Sequence, residues 1–147
     1  MIRTRRFDLI DGNRTKGLAM KVAFASTDRV YINEHFGRAE RFLIWDVGPE
    51  TASFSGMVEV KSEGGDEEDR IEARTSVLAD CALVYVLQIG GPAAARLVAK
   101  KIHPIKSQEQ QTIAAVIEQL QDVLRNNPPP WLKKALLKGA RPVATLG

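Results

Sequence analysis

The segment Cys81-Ala82-Leu83-Val84-Tyr85-Val86-Leu87 decides which fold this chain can adopt. It is an uninterrupted apolar run of strand length, which is typical of strands buried on both faces in a parallel sheet covered by helices. Gln88-Ile89-Gly90-Gly91 follows the run, and Pro92 is well suited to the first position of a helix. The segment therefore predicts a buried strand that turns directly into a helix, in an α/β domain.

Three further strands are predicted on the N-terminal side, over residues 19–25, 41–47 and 52–61. Each is a largely apolar segment of strand length, and Gly48-Pro49-Glu50 marks the end of the second. The connection between the second and third strands is short, so these two are expected to pair antiparallel. The third carries apolar residues at alternate positions, namely Phe54, Val58 and Val60.

On the C-terminal side, helices are predicted over about 67–79, 93–100 and 108–125, with a short strand over 102–105. Acidic residues open the first of these helices and complement its dipole. Ser107 is the expected N-cap of the last helix. The predicted buried faces comprise Ile71, Thr75, Leu78 and Ala79 on the first helix and Ile113, Val116, Ile117, Leu120 and Leu124 on the last.

This order of elements predicts an α/β fold with a mixed five-stranded sheet flanked by helices. Residues 19–126 would form the folded domain, residues 1–18 a basic N-terminal arm, and residues 127–147 a proline-rich, basic C-terminal tail. Within that tail we expect a short amphipathic turn over 131–137 and loose structure in the last ten residues.

Composition limits the compartment and the class of protein. No apolar run approaches the roughly 20 residues that span a bilayer, and the N-terminus lacks the apolar core of a signal peptide. We therefore expect no membrane partner. The single cysteine excludes an internal disulfide and fits a reducing, cytoplasmic location.

The net charge of +3 is unevenly distributed. Residues 1–19 contain five Lys or Arg against two Asp, and residues 126–147 contain four against no acid, so residues 20–125 carry −4. A nucleic-acid-binding domain usually concentrates positive charge on a folded face with supporting aromatic residues or motifs. Because the basic residues lie in the termini instead, we expect no nucleic-acid partner.

The scarcity of sulfur and imidazole restricts the metal chemistry. Iron–sulfur clusters generally need about four thiolate ligands, and cysteine-rich zinc sites also need several. A chain with one cysteine and two histidines builds neither by itself. Any metal centre that it handles must therefore arrive preassembled and be held by few protein ligands.

The loop between the first two strands contains the main candidate ligand. Asn33-Glu34-His35-Phe36-Gly37-Arg38-Ala39 places an imidazole beside an aromatic anchor and beside Gly37, which can adopt backbone angles closed to other residues. Neutral imidazole binds iron, zinc and copper, and the guanidinium groups of Arg38 and Arg41 suit an anionic ligand. The alternative interpretation of His35 is a surface histidine beside a turn.

Gly90 and Gly91 lie where a strand meets a helix, and backbone N–H groups at such a junction favour anions. A simple tight turn explains them equally well. Cys81 is expected to be a buried structural thiol and His103 a packed or edge histidine, so both are secondary candidates as metal ligands. No arrangement typical of catalysis, such as G-x-S-x-G or H-E-x-x-H, occurs, and we expect no enzyme.

Several blocks of the sequence match a known family. They are Met20–Ala25, His35–Phe42, Ala79–Cys81, Ile89–Ala94 and Asn127–Leu132. On these blocks the chain resembles the dinitrogenase iron–molybdenum cofactor-binding family over about residues 20–135. The resemblance implies a ribonuclease-H-like fold without nuclease chemistry, and it implies that His35 is the residue that binds the cofactor.

The resemblance also implies a non-enzymatic carrier. It would bind a preassembled iron–sulfur precursor of the iron–molybdenum cofactor, made by an upstream precursor synthase, and pass it to an assembly scaffold. We expect a monomer or a weak homodimer. Whether two chains share one cluster is left open. The precursor is anionic whereas the core is net acidic, so local positive charge must come from the basic arms or from Arg29, Arg38, Arg41 or Arg74.

Two other functions stay open at this point. One is a protein–protein interaction module that regulates nitrogenase assembly without holding the cluster, through its basic tails and Trp131. The other, ranked last, is an enzyme that acts on a phosphorylated or nucleotide ligand at Gly90–Ala93.

Overall fold

The computed structural model describes residues 17–61 and 64–144. The strands in these residues are β1 (Met20–Ala25), β2 (Arg41–Val47), β3 (Ala52–Glu59), β4 (Leu83–Val86) and β5 (His103–Lys106). The helices are α1 (Glu67–Val77), α2 (Gly91–Ala99), α3 (Ile113–Arg125) and α4 (Pro130–Ala144). None of these helices combines the length and the apolar character that crossing a bilayer would require.

The five strands form one mixed sheet in the order β3-β2-β1-β4-β5. Strand β2 pairs antiparallel with both β1 and β3, whereas β1–β4 and β4–β5 are parallel pairs. Only β2 therefore runs against the other four strands, as in the ribonuclease-H-like fold. The predictions of an α/β fold, a mixed five-stranded sheet and flanking helices are confirmed.

Each face of the sheet packs against two helices, because alternate residues of a strand point to opposite faces. Val22, Phe24 and Leu83 face α3 and α4 in one hydrophobic core. Ala23 and Val84 face α1, α2 and the loop after β1 in the other. All four residues of β4 are buried, which is why its sequence is continuously apolar.

The predicted buried faces of the helices are largely confirmed. All five apolar residues predicted for α3 are buried, and so are Ile71, Thr75 and Leu78 at α1. Ala79 is exposed instead, because α1 ends at Val77 and the chain turns before it can continue the buried face.

Strand β3 does not keep one apolar face, as its alternating sequence had suggested. A β-bulge lets Gly56 pair with Ile44 and Phe54 pair with Trp45, which leaves Ser55 without a partner across the strands. One extra residue reverses the direction of the side chains that follow. Phe54 consequently lies against Trp45, with ring centroids 5.8 Å apart, on the face opposite to Val58.

Helix α3 begins at Ile113, five residues after the predicted start at residue 108. Thr112 is the N-cap of α3, and its hydroxyl accepts a hydrogen bond of 3.1 Å from the backbone N–H of Ala115. Ser107 does not cap, because its backbone N–H donates to the carbonyl of Val86 at 2.7 Å and so extends the pairing of β5 with β4. Sheet pairing therefore outcompetes the local capping pattern at Ser107.

The segment predicted as a short turn followed by loose structure is helical through residue 144, as α4. Leu132 and Leu136 are buried and join the core on the α3 side of the sheet. An amphipathic stripe that covers the sheet in this way stabilises a helix beyond its local propensity. The predicted N-terminal arm lies outside the described residues up to residue 16.

Gly48, which follows β2, cannot carry a side chain in this fold. A Cβ atom at Gly48 would lie 1.9 Å from the carbonyl oxygen of Leu18. The backbone is held there, because the N–H of Gly48 donates to Thr51 at 2.8 Å and its carbonyl accepts from Gln121 at 3.1 Å. We expect Gly48→Ala to lower the free energy of unfolding by about 2–3 kcal/mol in chemical denaturation.

Gly37→Ala is the matched control, because a Cβ atom at Gly37 would meet no atom within 4 Å among the described residues. Equal denaturation midpoints for the two variants would contradict the close approach of Gly48 to Leu18.

Candidate functional site

A cleft of about 1040 Å³ opens where β4 and β5 end. We call it the His35 cleft and define it by His35, Arg38, Arg70, Arg74, Gly90 and Lys106, which lie on its walls. Crevices beyond the carboxyl ends of parallel strands are the usual ligand sites of open α/β sheets. Its volume lies at the upper end of the range of ligand pockets.

Backbone hydrogen bonds to the end of β4 hold His35 at the mouth of this cleft. The N–H of Phe36 donates to the carbonyl of Gln88 at 2.8 Å, and the N–H of Leu87 donates to the carbonyl of Glu34 at 2.9 Å. His35 and Gln88 thereby form an isolated parallel bridge. The side chain of His35 is exposed and makes no hydrogen bond with the part of the chain that the structure describes.

Phe36 anchors the loop, as predicted. It is buried in the core on the α1 side of the sheet, and its ring centroid lies 5.9 Å from that of Phe42. Gly37 does not need the special backbone angles that we had expected, because its φ is not positive and the space around it is open. Because Gly37 has no side chain, the space beside His35 on this wall of the cleft stays open.

Helix α1 supplies two arginines, Arg70 and Arg74, to the cleft. They are four residues apart and therefore lie on one side of the helix. Asp66 caps α1, since its carboxylate accepts from the N–H of Asp69 at 2.9 Å and the Asp69 carboxylate accepts from the N–H of Asp66. This capping box sets where the helix begins and thus where both arginines point.

Two acids of α1, Glu68 and Glu72, pair with α2 and not with these arginines. Glu68 and Glu72 both accept hydrogen bonds from Arg96 of α2, each with a distance of 2.8 Å. Lys100 approaches Glu72 at 3.7 Å. The ion pairs therefore join α1 to α2 and leave the cleft side of α1 positively charged.

Arg74 is a buried cation without a carboxylate partner in the described residues. Only 6% of its surface is exposed, its Nη1 donates to the carbonyl of Arg70 at 3.0 Å, and its Nε has no hydrogen-bond partner there. Burial, and then repulsion from Arg70, lower the pKa of Arg74, and the negative charges of Glu40 and Glu34 offset part of this effect. Since native proteins rarely leave a buried polar group unsatisfied, the unpaired Nε of Arg74 on a cleft wall is a donor available to an anionic ligand.

The charge of the cleft is positive although the core of the chain is net acidic. Its walls carry four cationic side chains, which are Arg38, Arg70, Arg74 and Lys106, against the carboxylates of Glu67 and Glu109. The N-terminus of α2 also faces the cleft through Gly90 and Ala93, and it adds partial positive charge. The arrangement can therefore hold an anionic ligand that also offers a metal to one imidazole.

The structure brings together four of the six predicted binding residues, which are His35, Gly37, Arg38 and Gly90. Arg41 does not line the cleft, because it shares a strand face with Leu43 and points to the α3 side of the sheet. Gly91 is the first residue of α2 and lies behind Gly90. Arg29, a candidate for the local charge, lies 6.0 Å from the ring of Phe54 instead.

Arg70 and Lys106 were missed as binding residues by sequence reasoning. Arg70 had a usable signal, because it precedes Arg74 by one helical turn in a segment already predicted to be a helix. Lys106 had none, since only the pairing of β5 with β4 brings it to the cleft.

The secondary candidates Cys81 and His103 lie at the opposite end of the sheet. Cys81 is buried, as predicted, and burial raises the pKa of its thiol to about 12. The thiol is therefore protonated at neutral pH, and thiolate is the form that binds metal. His103 packs against Trp131, with ring centroids 4.1 Å apart. Within residues 17–61 and 64–144, no three His, Cys, Asp or Glu side chains converge to hold a metal ion.

The family described as dinitrogenase iron–molybdenum cofactor matches residues 19–123 of this chain. Protein NifX of Herbaspirillum seropedicae is 38% identical over 130 residues, which cover 84% of this chain and 86% of that protein. FeMo cofactor biosynthesis protein NifB of Bradyrhizobium diazoefficiens is 32% identical over 130 residues, which cover 78% of this chain and 26% of that protein.

One solved structure shares the fold. The apo form of the orange protein from Desulfovibrio gigas has a TM-score of 0.56, with 18% sequence identity over 71% of this chain and 89% of that chain. At this identity the likeness concerns the fold alone.

Proposed function

This chain belongs to the dinitrogenase iron–molybdenum cofactor family, and from that premise we propose that it is a non-enzymatic carrier of an iron–sulfur precursor of that cofactor. The chain takes part in iron–molybdenum cofactor biosynthesis. In the proposed role it binds the preassembled precursor in the His35 cleft and passes it to the assembly scaffold.

The unpaired Nε of the buried Arg74, on the wall of the His35 cleft, is the observation that carries this proposal. A buried charge without a partner destabilises a protein, and a ligand of opposite charge removes that cost when it binds. An iron–sulfur precursor supplies both the negative charge for Arg74 and an iron for the imidazole of His35. A simple surface histidine would explain neither the buried cation nor the excess of positive charge around it.

Reversible binding also follows from this ligand set. One exposed imidazole is a modest ligand, and the surrounding arginines and lysine bind by charge rather than by coordination. A cluster held in this way can be released to a protein that offers more thiolates. Sites that hold iron–sulfur clusters permanently supply about four thiolate ligands, and the described lining of this cleft supplies none. Because these residues account for binding and release of the cluster alone, we assign the chain no catalytic step.

The proposed partners are the other cofactor-assembly proteins, namely the precursor synthase and the scaffold. We propose a cytoplasmic location, since a cluster with labile iron and a free thiol both suit a reducing compartment. We propose a monomer or a weak homodimer. Each chain offers a single His35, so one chain can hold a cluster through one imidazole or two chains can share a cluster.

The proposal is tested by anaerobic titration of the metal-free protein with isolated precursor cluster. We expect iron and sulfide to co-elute with the protein on gel filtration, and we expect the cluster absorption to change as iron gains an imidazole ligand. A protein that stays free of iron but still binds the assembly scaffold would overturn the carrier role in favour of the interaction module.

A further inference from the structure

A second pocket, of about 780 Å³, lies at the end of the sheet opposite to the His35 cleft. We call it the Trp131 pocket and define it by Trp131, Val98, Lys101, Lys134 and Lys138, with Asp80 on its wall. It is formed by the end of α2 and by one side of α4, next to the first residues of β1, β4 and β5. The two sites therefore use opposite ends of the same parallel strands.

The charge of the Trp131 pocket is positive, because its walls carry more lysines than aspartates and only some of these lysines form ion pairs. Lys21 and Lys100 also line the pocket, but they pair with Asp46 at 3.0 Å and Glu72 at 3.7 Å. Lys101, Lys134 and Lys138 make no salt bridge with any described residue. Lys134 and Lys138 are four residues apart on α4, where like charges repel each other.

Apolar surface accompanies this charge. Trp131 is 41% exposed and Val98 is 55% exposed, although both are large apolar side chains. The ring of His103 packs against the indole of Trp131, with ring centroids 4.1 Å apart. A half-exposed tryptophan with lysines around it has the apolar centre and polar rim of a protein–protein interface, and tryptophan is enriched among the residues that dominate binding.

We propose that the Trp131 pocket is the docking site for an acidic segment of the protein that exchanges cargo with this carrier. The inference rests on the proposed function for the role of that partner, and on the pocket alone for its chemistry. Carboxylates on the segment would pair with Lys101, Lys134 and Lys138, and an apolar residue would cover Trp131. Docking at this end leaves the His35 cleft accessible for release.

A phosphate-bearing ligand fits the pocket less well than an acidic polypeptide. Phosphate sites favour arginine forks and the free N–H groups of a helix N-terminus. The described lining of the pocket contains no arginine. Helix α2 presents its C-terminus to the pocket, and the first residue of α4, Pro130, has no N–H group. Separate lysine charges spaced around an indole suit carboxylates distributed along a chain.

The test uses a short fluorescein-labelled peptide in which glutamate alternates with leucine, and a matched peptide with glutamine in place of glutamate. We expect the 147-residue chain to bind the glutamate peptide in fluorescence anisotropy, with an affinity that falls as salt increases. Lys134→Glu and Lys138→Glu together should weaken binding about tenfold or more, and Trp131→Ala should also weaken it. Lys133→Glu is the control, since Lys133 is exposed on the same helix but does not line the pocket.

Equal loss with Lys133→Glu, equal binding of the glutamine peptide, or no binding by the wild-type protein would each overturn the docking site. Equal or tighter binding of a DNA oligonucleotide, with the same loss in the Lys134/Lys138 variant, would overturn it in favour of a nucleic-acid site. Cluster loading is measured separately at the His35 cleft. A protein that binds the peptide but no cluster keeps the docking site and refutes only the carrier role.

Discussion

Replacing His35 with alanine is expected to weaken binding of the iron–sulfur precursor about a hundredfold or more. Loss of a residue that only supports a metal ligand typically costs ten- to a hundredfold in affinity, and the loss of the ligand itself should cost at least as much. The side chain of His35 is exposed and makes no hydrogen bond or salt bridge within the described residues. The variant should therefore keep its unfolding midpoint while it loses the cluster in anaerobic dialysis.

The chain's other histidine provides the comparison. His103→Ala removes an imidazole at the opposite end of the sheet, where it packs on Trp131. We expect this variant to retain the cluster. Retention by His35→Ala and loss by His103→Ala would place the cluster at the wrong end of the molecule for the proposed mechanism.

Replacing Arg74 with methionine should raise the stability of the ligand-free protein and lower its affinity for the precursor. Methionine keeps the length of the side chain but removes a buried charge and an unpaired Nε. Replacement of buried charged groups by apolar side chains is often stabilising, here by about 1 kcal/mol in the free energy of unfolding. Removal of one partner from a buried charge pair with the ligand typically costs about 2–5 kcal/mol, so precursor affinity should fall at least about thirtyfold.

Both quantities are measured on the same protein, by denaturant unfolding without ligand and by anaerobic titration with precursor. Arg96→Met is the matched control, because Arg96 has carboxylate partners in Glu68 and Glu72 and lies outside the His35 cleft. It should lose a little stability and leave the affinity unchanged. If Arg74→Met destabilised the empty protein and bound precursor normally, Arg74 would be a structural residue and the argument from its missing partner would fail.

The prediction of the sheet succeeded because its evidence is local. Strands β1, β2 and β4 are apolar segments bounded by turn-forming residues, and each lies within two residues of its predicted position at either end. The bulge in β3 was missed, because an extra residue in one strand leaves the alternation of its sequence unchanged while it reverses the faces. The first residue of α3 was missed because Ser107 and Thr112 are both good caps and only sheet pairing distinguishes them.

The sequence by itself determined the fold class, the scarcity of metal ligands and the loop that carries His35, because these depend on residue type and on spacing along the chain. Only the tertiary structure decided which cations meet that imidazole. Arg41 is close to His35 in sequence but points to the far face of the sheet, whereas Arg74 reaches the same cleft from α1. The reason is geometric: the direction of a side chain depends on the register of its strand or helix, and α1 is held against the sheet by long-range packing of Ile71 and Leu78 in the core.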